Sequence, residues 1–380
     1  MAPVTTKPIR QTYAKKNPLA PAWTGRPTLA SMRIPTLDGL RGICISLVLL
    51  SHLSGTQHFV RSDIFELYGN LGVRTFFVLS GYLITAILTK EHAKAGGIAL
   101  RDFYLRRAYR IVPPAYAFML VAIATHWRVL SWANIAIALT FTSNYYYGGH
   151  YVLGHLWSLS AEEQFYLLWP LILVLFFRRR LWIIGGVLAA GPPLRIVLWM
   201  IWGRHGMGHP FPVLMDALAG GCALQMLQPQ LVRYQRMFAS RWFSLVPVVT
   251  ALLPLMQLFS TRFYQGVGLS VLHVGIALSV QHVMASRYSV LNLRPVAWLG
   301  TISYSLYLWQ QLFLNRASGE PWAAFPLNLV FAIGCGAASY YLVERPALRM
   351  RERFTRGGRS AAAPSLVAIP TAADQVSRAG

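Results

Sequence analysis

Ten apolar runs of membrane-spanning length fill most of this 380-residue chain, at approximately 38–56, 70–89, 111–130, 156–177, 181–202, 211–228, 243–260, 264–285, 296–314 and 322–343. In hydrocarbon every backbone N–H and C=O has to be paired within the protein, which leaves helices or a closed barrel. Runs this long, in a chain with 55% hydrophobic and only 12% charged residues, select helices. The sequence predicts an all-α fold: a polytopic transmembrane helical bundle of about ten spans, with membrane lipids as its surroundings.

Charge fixes the threading. A net charge of +23 would suit a nucleic-acid partner if the basic residues formed one patch. They sit instead between the apolar runs, as the positive-inside rule requires, so nucleic acid is excluded as a partner. The clusters lie at Lys90–Arg110, Arg178–Arg180, Arg233–Arg241, Arg287–Arg294 and Arg345–Arg359. Ten spans bring all of them to the cytoplasmic face, with both termini cytoplasmic. A further run at 132–147 is shorter and is read as a re-entrant or surface helix, because counting it as a span moves the Arg178 cluster outside. Eleven spans, with that run crossing a thinned bilayer, is the alternative.

The domain reading follows. Residues 1–36 carry six basic residues, no acid and no stretch long enough for a signal-peptide core, which predicts a flexible cytoplasmic tail. Residues 37–346 form the membrane domain. Residues 347–380 are basic, then rich in Ala, Ser and Pro, and predict a disordered cytoplasmic tail. Cys44, Cys222 and Cys335 all lie in apolar runs and match no metal or redox spacing, so they read as buried hydrophobes. No metal site is expected, and any chemistry falls to the membrane domain.

Polar residues inside spans are costly and mark functional sites by default. Arg41 and His52 are eleven residues apart, about three helical turns, so they share one face about 16 Å apart along the axis. The alternative is a snorkelling Arg and a hydrogen-bonded core His. Asp38, three residues before Arg41, is placed to pair with it. Glu162 and Glu163 lie in a run that enters from outside, so a carboxylate there stands at the depth of His52 and would orient its imidazole for general-base work. A structural Glu bonded to Arg or backbone is the competing reading. Arg107 and Arg110 flank a helix start at the cytoplasmic surface, and paired guanidinium forks match phosphate oxygens. Plain positive-inside signals would look the same. Asp216, inside the run 211–228, and Tyr146, in the aromatic segment Tyr145–Tyr151, are candidate substrate-binding residues. An interfacial aromatic belt is the bland reading of that segment. Ser80-Gly81 reads as a small-residue patch for close helix packing.

Several blocks in order carry a resemblance: L-D-G-L-R-G…S-H (37–52), G-V-R-T-F-F-V-L-S-G-Y-L-I-T (72–85), F-Y-L-R-R-A-Y-R-I-V-P (103–113), H-L-W-S-L-S-A-E-E-Q-F-Y-L-L-W-P (155–170) and L-G-T-I-S-Y-S-L-Y-L-W (299–309), with a weaker M-D-A-L-A-G-G-C-A-L (215–224). The chain resembles the acyltransferase-3 family of membrane acyltransferases, including those that O-acetylate bacterial lipopolysaccharide and exopolysaccharides. The resemblance implies a bacterial inner-membrane O-acyltransferase. Its donor would be a cytoplasmic acyl-CoA, acetyl-CoA first, and its acceptor a hydroxyl of a cell-surface or lipid-linked glycan. It implies catalytic roles for His52 and Glu162, with Glu163 the weaker member of the pair, and donor binding by Arg41, Arg107 and Arg110. The S-Y-S-x-Y-L-x-H block usually ends in His, and here the position is Gln310, which hydrogen-bonds but does not titrate near neutrality. A small-molecule acyltransferase, acting for example on a macrolide, and a glycan-precursor transporter or flippase are the rival readings.

Overall fold

The computed structural model describes residues 35–351, apart from 147, 148, 207, 208 and 287. Nearly all of both expected tails lies outside the described residues. Among the described residues there is no strand. The main helices are α1 (Pro35–Leu53), α2 (Asp63–Ala95), α3 (Leu100–His126), α4 (Trp132–Leu139), α5 (Leu156–Phe176), α6 (Arg180–Gly206), α7 (Phe211–Met226), α8 (Arg241–Phe259), α9 (Thr261–Ser286), α10 (Arg294–Phe313) and α11 (Leu327–Arg351). Each of the ten apolar runs is thus a helix. Six of these helices are long and apolar enough to cross a membrane by themselves: α1, α2, α3, α8, α9 and α11. Large apolar side chains such as Phe259, Trp182 and Met200 stand exposed on the outside, as lipid-facing positions do. The protein is an integral membrane protein.

The run at 132–147 is an eight-residue helix followed by a short 3-10 turn. Eight residues rise about 12 Å, well short of the roughly 30 Å hydrocarbon core. Ser131 caps its N-terminus by accepting a hydrogen bond from the Asn134 backbone N–H. Among the described residues the run at 132–147 therefore supplies no helix of spanning length.

Helix ends extend past the apolar runs. α2 occupies 33 residues and stops at Gly96, whose left-handed φ of 72° lets its N–H bond back to the His92 carbonyl. α3 begins at Leu100, so Arg107 and Arg110 lie within a helix rather than at its start. The expectation erred because hydropathy starts the run at residue 111 and misses the polar turns of the helix before it. Pro113 and Pro114 sit inside the helix, one turn beyond Arg110.

Close backbone approach sets the core. α1 packs along α10 and α2 along α7. A Cβ at Gly42 would strike the Val296 carbonyl, and one at Gly300 the Asp38 carbonyl. The pair Gly81 and Gly221 is locked in the same way, against the Leu218 and Val78 carbonyls, which is the packing read from Ser80-Gly81. Ile45, Val48, Leu49, Ile302 and Leu306 fill the α1–α10 seam.

Candidate functional site

One end of the site forms where α1, α3, α5, α10 and α11 meet. The Arg41 guanidinium donates to Ser303 Oγ, at 2.9 Å from Nη2 and 3.3 Å from Nε. Asp38 stays within electrostatic reach of Arg41, but the hydrogen bonds go to α10 and not to Asp38 as expected. Arg107 lies over the Tyr166 ring, 4.6 Å from its centroid. Arg110 is within electrostatic reach of both Arg41 and Arg107. The three arginines expected to bind the donor are therefore grouped. Several carboxylates moderate their mutual repulsion. Glu162 receives Ser80 Oγ at 2.8 Å and the Tyr166 hydroxyl at 3.0 Å, and lies within reach of Arg107 and Arg41. Glu344, buried near the end of the last apolar run, receives Ser305 Oγ at 2.8 Å and faces Arg110. Glu163 is within reach of Arg107, with its Oε1 buried and unpaired.

The other end forms around His52. Gln310, fully buried on α10, stands against its imidazole. His155 is within electrostatic reach and is walled by the rings of Phe118 and Tyr307, each 5.2 Å away by centroid. Glu162 is not beside His52. Seven residues separate His155 from Glu162, about 10 Å of helix, which carries the carboxylate toward the arginines. The two ends are joined by the Arg41–His52 face of α1.

Two expected residues lie elsewhere. Asp216 is 1% exposed, and its Oδ2 is already committed: Arg195 Nη1 donates at 2.7 Å and Ser270 Oγ at 2.9 Å. His273 Nδ1 approaches the same oxygen at 3.2 Å, close enough for an ion pair but without hydrogen-bond geometry. Arg195 is also held by the Gln265 and Gly266 carbonyls, which a π-helical turn at Tyr264–Gly268 turns toward it. Asp216 thus holds helices together, in a node separate from both ends of the site. Tyr146 lines a cavity of about 190 Å³ with Asn134, Ser143, Asn144, Trp157 and His209. Trp157 and His209 stack at 4.0 Å there, and Asn144 exchanges hydrogen bonds with Gln164 at 2.9 and 3.1 Å.

This arrangement pairs a cluster of cations, suited to phosphate oxygens, with a buried imidazole suited to proton transfer. A family model described as an acyltransferase domain matches residues 34–344. The chain belongs to the acyltransferase-3 family. It is 29% identical to the peptidoglycan O-acetyltransferase OatA of Listeria monocytogenes, over 73% of this chain and 48% of that protein. It is 31% identical to a putative O-acetyltransferase of Staphylococcus aureus, over 82% of this chain and 57% of the relative. A putative peptidoglycan O-acetyltransferase of Bacillus subtilis, YrhL, is 28% identical over 82% of this chain and 54% of its own length. The chain spans about half the length of the curated relatives it matches. No solved structure matches it.

Within this acyltransferase fold the sequence left three side chains unassigned. His155 opens the very block that named Glu162, yet was read only as its first letter. Gln310 was read as a loss of titration rather than as a neighbour of His52. Glu344 lies one residue beyond the apolar run 322–343, where hydropathy does not mark it as a polar residue inside a span. Among the described residues no group of three or more His, Cys, Asp or Glu gathers where a metal could sit.

Proposed function

We propose that the chain is an integral-membrane O-acyltransferase that moves an acyl group, acetyl first, from cytoplasmic acyl-CoA to a hydroxyl of a cell-envelope glycan. The inner membrane with both termini cytoplasmic is the setting this reading requires. The observation that carries it is the pairing along α1: grouped guanidiniums at the Arg41 end and a buried imidazole at the His52 end. Arg41, Arg107 and Arg110 take the donor's phosphates as charge-assisted forks. Its flexible arm lies along α1 past Glu162, whose place at the arginine end suits a role in orienting that arm where it leaves the phosphates. His52 removes the proton from the acceptor hydroxyl, and the oxygen attacks the thioester carbon. The carbon–sulfur bond breaks, and the departing thiolate takes the proton back from the imidazolium. An ester and free CoA thiol result. The relatives named for peptidoglycan favour that polymer as acceptor over lipopolysaccharide. Tyr146 and its cavity, two residues along the chain from His155 at Trp157, suit the acceptor's approach.

The test is acyl transfer from acetyl-CoA to soluble peptidoglycan fragments by the full chain, read as base-labile acetate on the glycan. His52→Ala is expected to abolish it while membrane insertion is retained. Wild-type acetate levels from well-inserted His52→Ala protein would remove His52 from the mechanism. Unchanged fragments, with the chain instead moving glycan precursors across vesicles, would favour transport.

A further inference from the structure

Polar atoms left unpaired in a protein interior cost about 1–3 kcal/mol each, so a cluster of them calls for a reason. Five lie together at the His52 end: His52 Nδ1, both His155 ring nitrogens, and both amide atoms of Gln310. His155 is 5% exposed and Gln310 0%. They come from three helices or their caps, α1, α5 and α10, and converge by construction. Tyr307 and Gln310 are one turn apart on α10 and share a face. The Tyr307 hydroxyl donates to the His155 carbonyl at 2.6 Å and meets Ser158 Oγ at 2.7 Å, which fixes the start of α5 against α10. Gln311 Nε2 donates to the Tyr151 carbonyl at 2.9 Å and secures the preceding loop. The helices are thus held firmly, while the polar tips within them meet only each other and the Leu308 backbone: Gln310 stands against His52, and His155 lies near Leu308, each without hydrogen-bond geometry.

We propose that His155 and Gln310 are catalytic residues that donate N–H hydrogen bonds to the thioester carbonyl oxygen and hold it as it becomes an oxyanion. The inference rests on the acyltransferase reading above and deepens it. When the hydroxyl oxygen bonds to the thioester carbon, the carbonyl π pair moves onto its oxygen. His155 N–H and Gln310 Nε2–H receive that charge, and the pair returns to the carbon as the carbon–sulfur bond breaks. Neither donor gives up its proton, and His52 alone carries the proton from hydroxyl to thiolate. Fixed donors in a water-excluded setting stabilise such a charge without reorganising. A neutral His at position 310 would also present an N–H, so Gln310 keeps the property this role needs and lacks only the titration it does not need.

The experiment uses the purified full chain, acetyl-CoA as donor and soluble peptidoglycan fragments as acceptor, with CoA thiol release as the readout. His155→Phe keeps the aromatic packing and removes the N–H; Gln310→Leu does the same at the amide. Each is expected to lower kcat by about 100-fold with the acetyl-CoA KM unchanged. His155→Gln and Gln310→His, which restore an N–H, are expected to recover at least about tenfold of that loss. If one apolar variant fails to insert, the other and the two restoring variants decide. Turnover close to wild type in His155→Phe or Gln310→Leu overturns the proposal, as does an equal loss in apolar and restoring variants, which marks packing alone. An inactive His52→Ala beside an active His155→Phe overturns only the donor assignment. A fully active His52→Ala removes His52 as the base, and the absence of any acetyl transfer by the unaltered chain overturns the acyltransfer reading beneath it.

Discussion

Arg107 and Arg110 show how far residue chemistry carries. Their spacing alone fits either a phosphate clamp or ordinary topology signals, and the structure groups them with Arg41, Glu162 and Glu344. Charges of one sign are kept together at a cost unless an anion joins them, so the double variant Arg107→Ala, Arg110→Ala should weaken donor binding and spare the chemical step. The expected result is at least a tenfold rise in the acetyl-CoA KM, about 1.4 kcal/mol, with kcat retained at saturation. An unchanged KM in steady-state kinetics would end the donor-site assignment. At this scale the sequence made Arg41, His52 and Glu162 legible because each is a polar residue in an apolar run. What it hid was partnership. Ser303, 262 residues from Arg41, takes the hydrogen bonds assigned to Asp38, because a partner from a distant helix leaves no local spacing to read. Asp216 stood out by the same rule of a lone acid in a span, and its partner Arg195 shows why that rule marks structural nodes as readily as sites.

Helices were legible at their middles and less so at their ends. Hydropathy found every run, while α2 and α3 extend through polar turns that a transfer scale reads as loop. The seam between α1 and α10 was not legible at all, since a Gly in a span announces close approach without naming the neighbour. That seam carries the site: α1 bears Arg41 and His52, and α10 bears Ser303 and Gln310. Gly300→Leu should therefore force the two helices apart at the Asp38 carbonyl and cost about 1–3 kcal/mol. A thermal-unfolding series in detergent should show the drop for Gly300→Leu and none of note for Gly334→Leu, whose Cβ direction is open. Equal melting temperatures would mean that the α1–α10 contact is looser than the structure has it.

For the whole molecule, the decisive question is which side each end of the site faces. Charge placement predicts the Arg178–Arg180 turn on the cytoplasmic side and Gly149 outside. In a cysteine-free background, Gly149→Cys should react with a membrane-impermeant thiol reagent on intact cells and Arg179→Cys only after lysis. The reverse pattern would turn the His52 end toward the cytoplasm and favour a small soluble acceptor. The short α4 agrees with the charge reading: with it unable to cross, a ten-span threading would bring every basic cluster to one side. The Arg41–His52 helix then sets a further condition on the donor. Its two ends are held about 16 Å apart by a rigid rod that is packed against α10 at Gly42 and held near its other end by Arg316, in the loop just after α10, which donates to the Ser51 carbonyl at 2.9 Å. A thioester tethered to the nucleotide at one end reaches the imidazole as though dissolved at very high local concentration, and the rod works as a ruler for the tether. A short thioester without the nucleotide has nothing to hold it at that mark, so it meets the same imidazole only by free collision and forfeits the gain of an effectively intramolecular reaction.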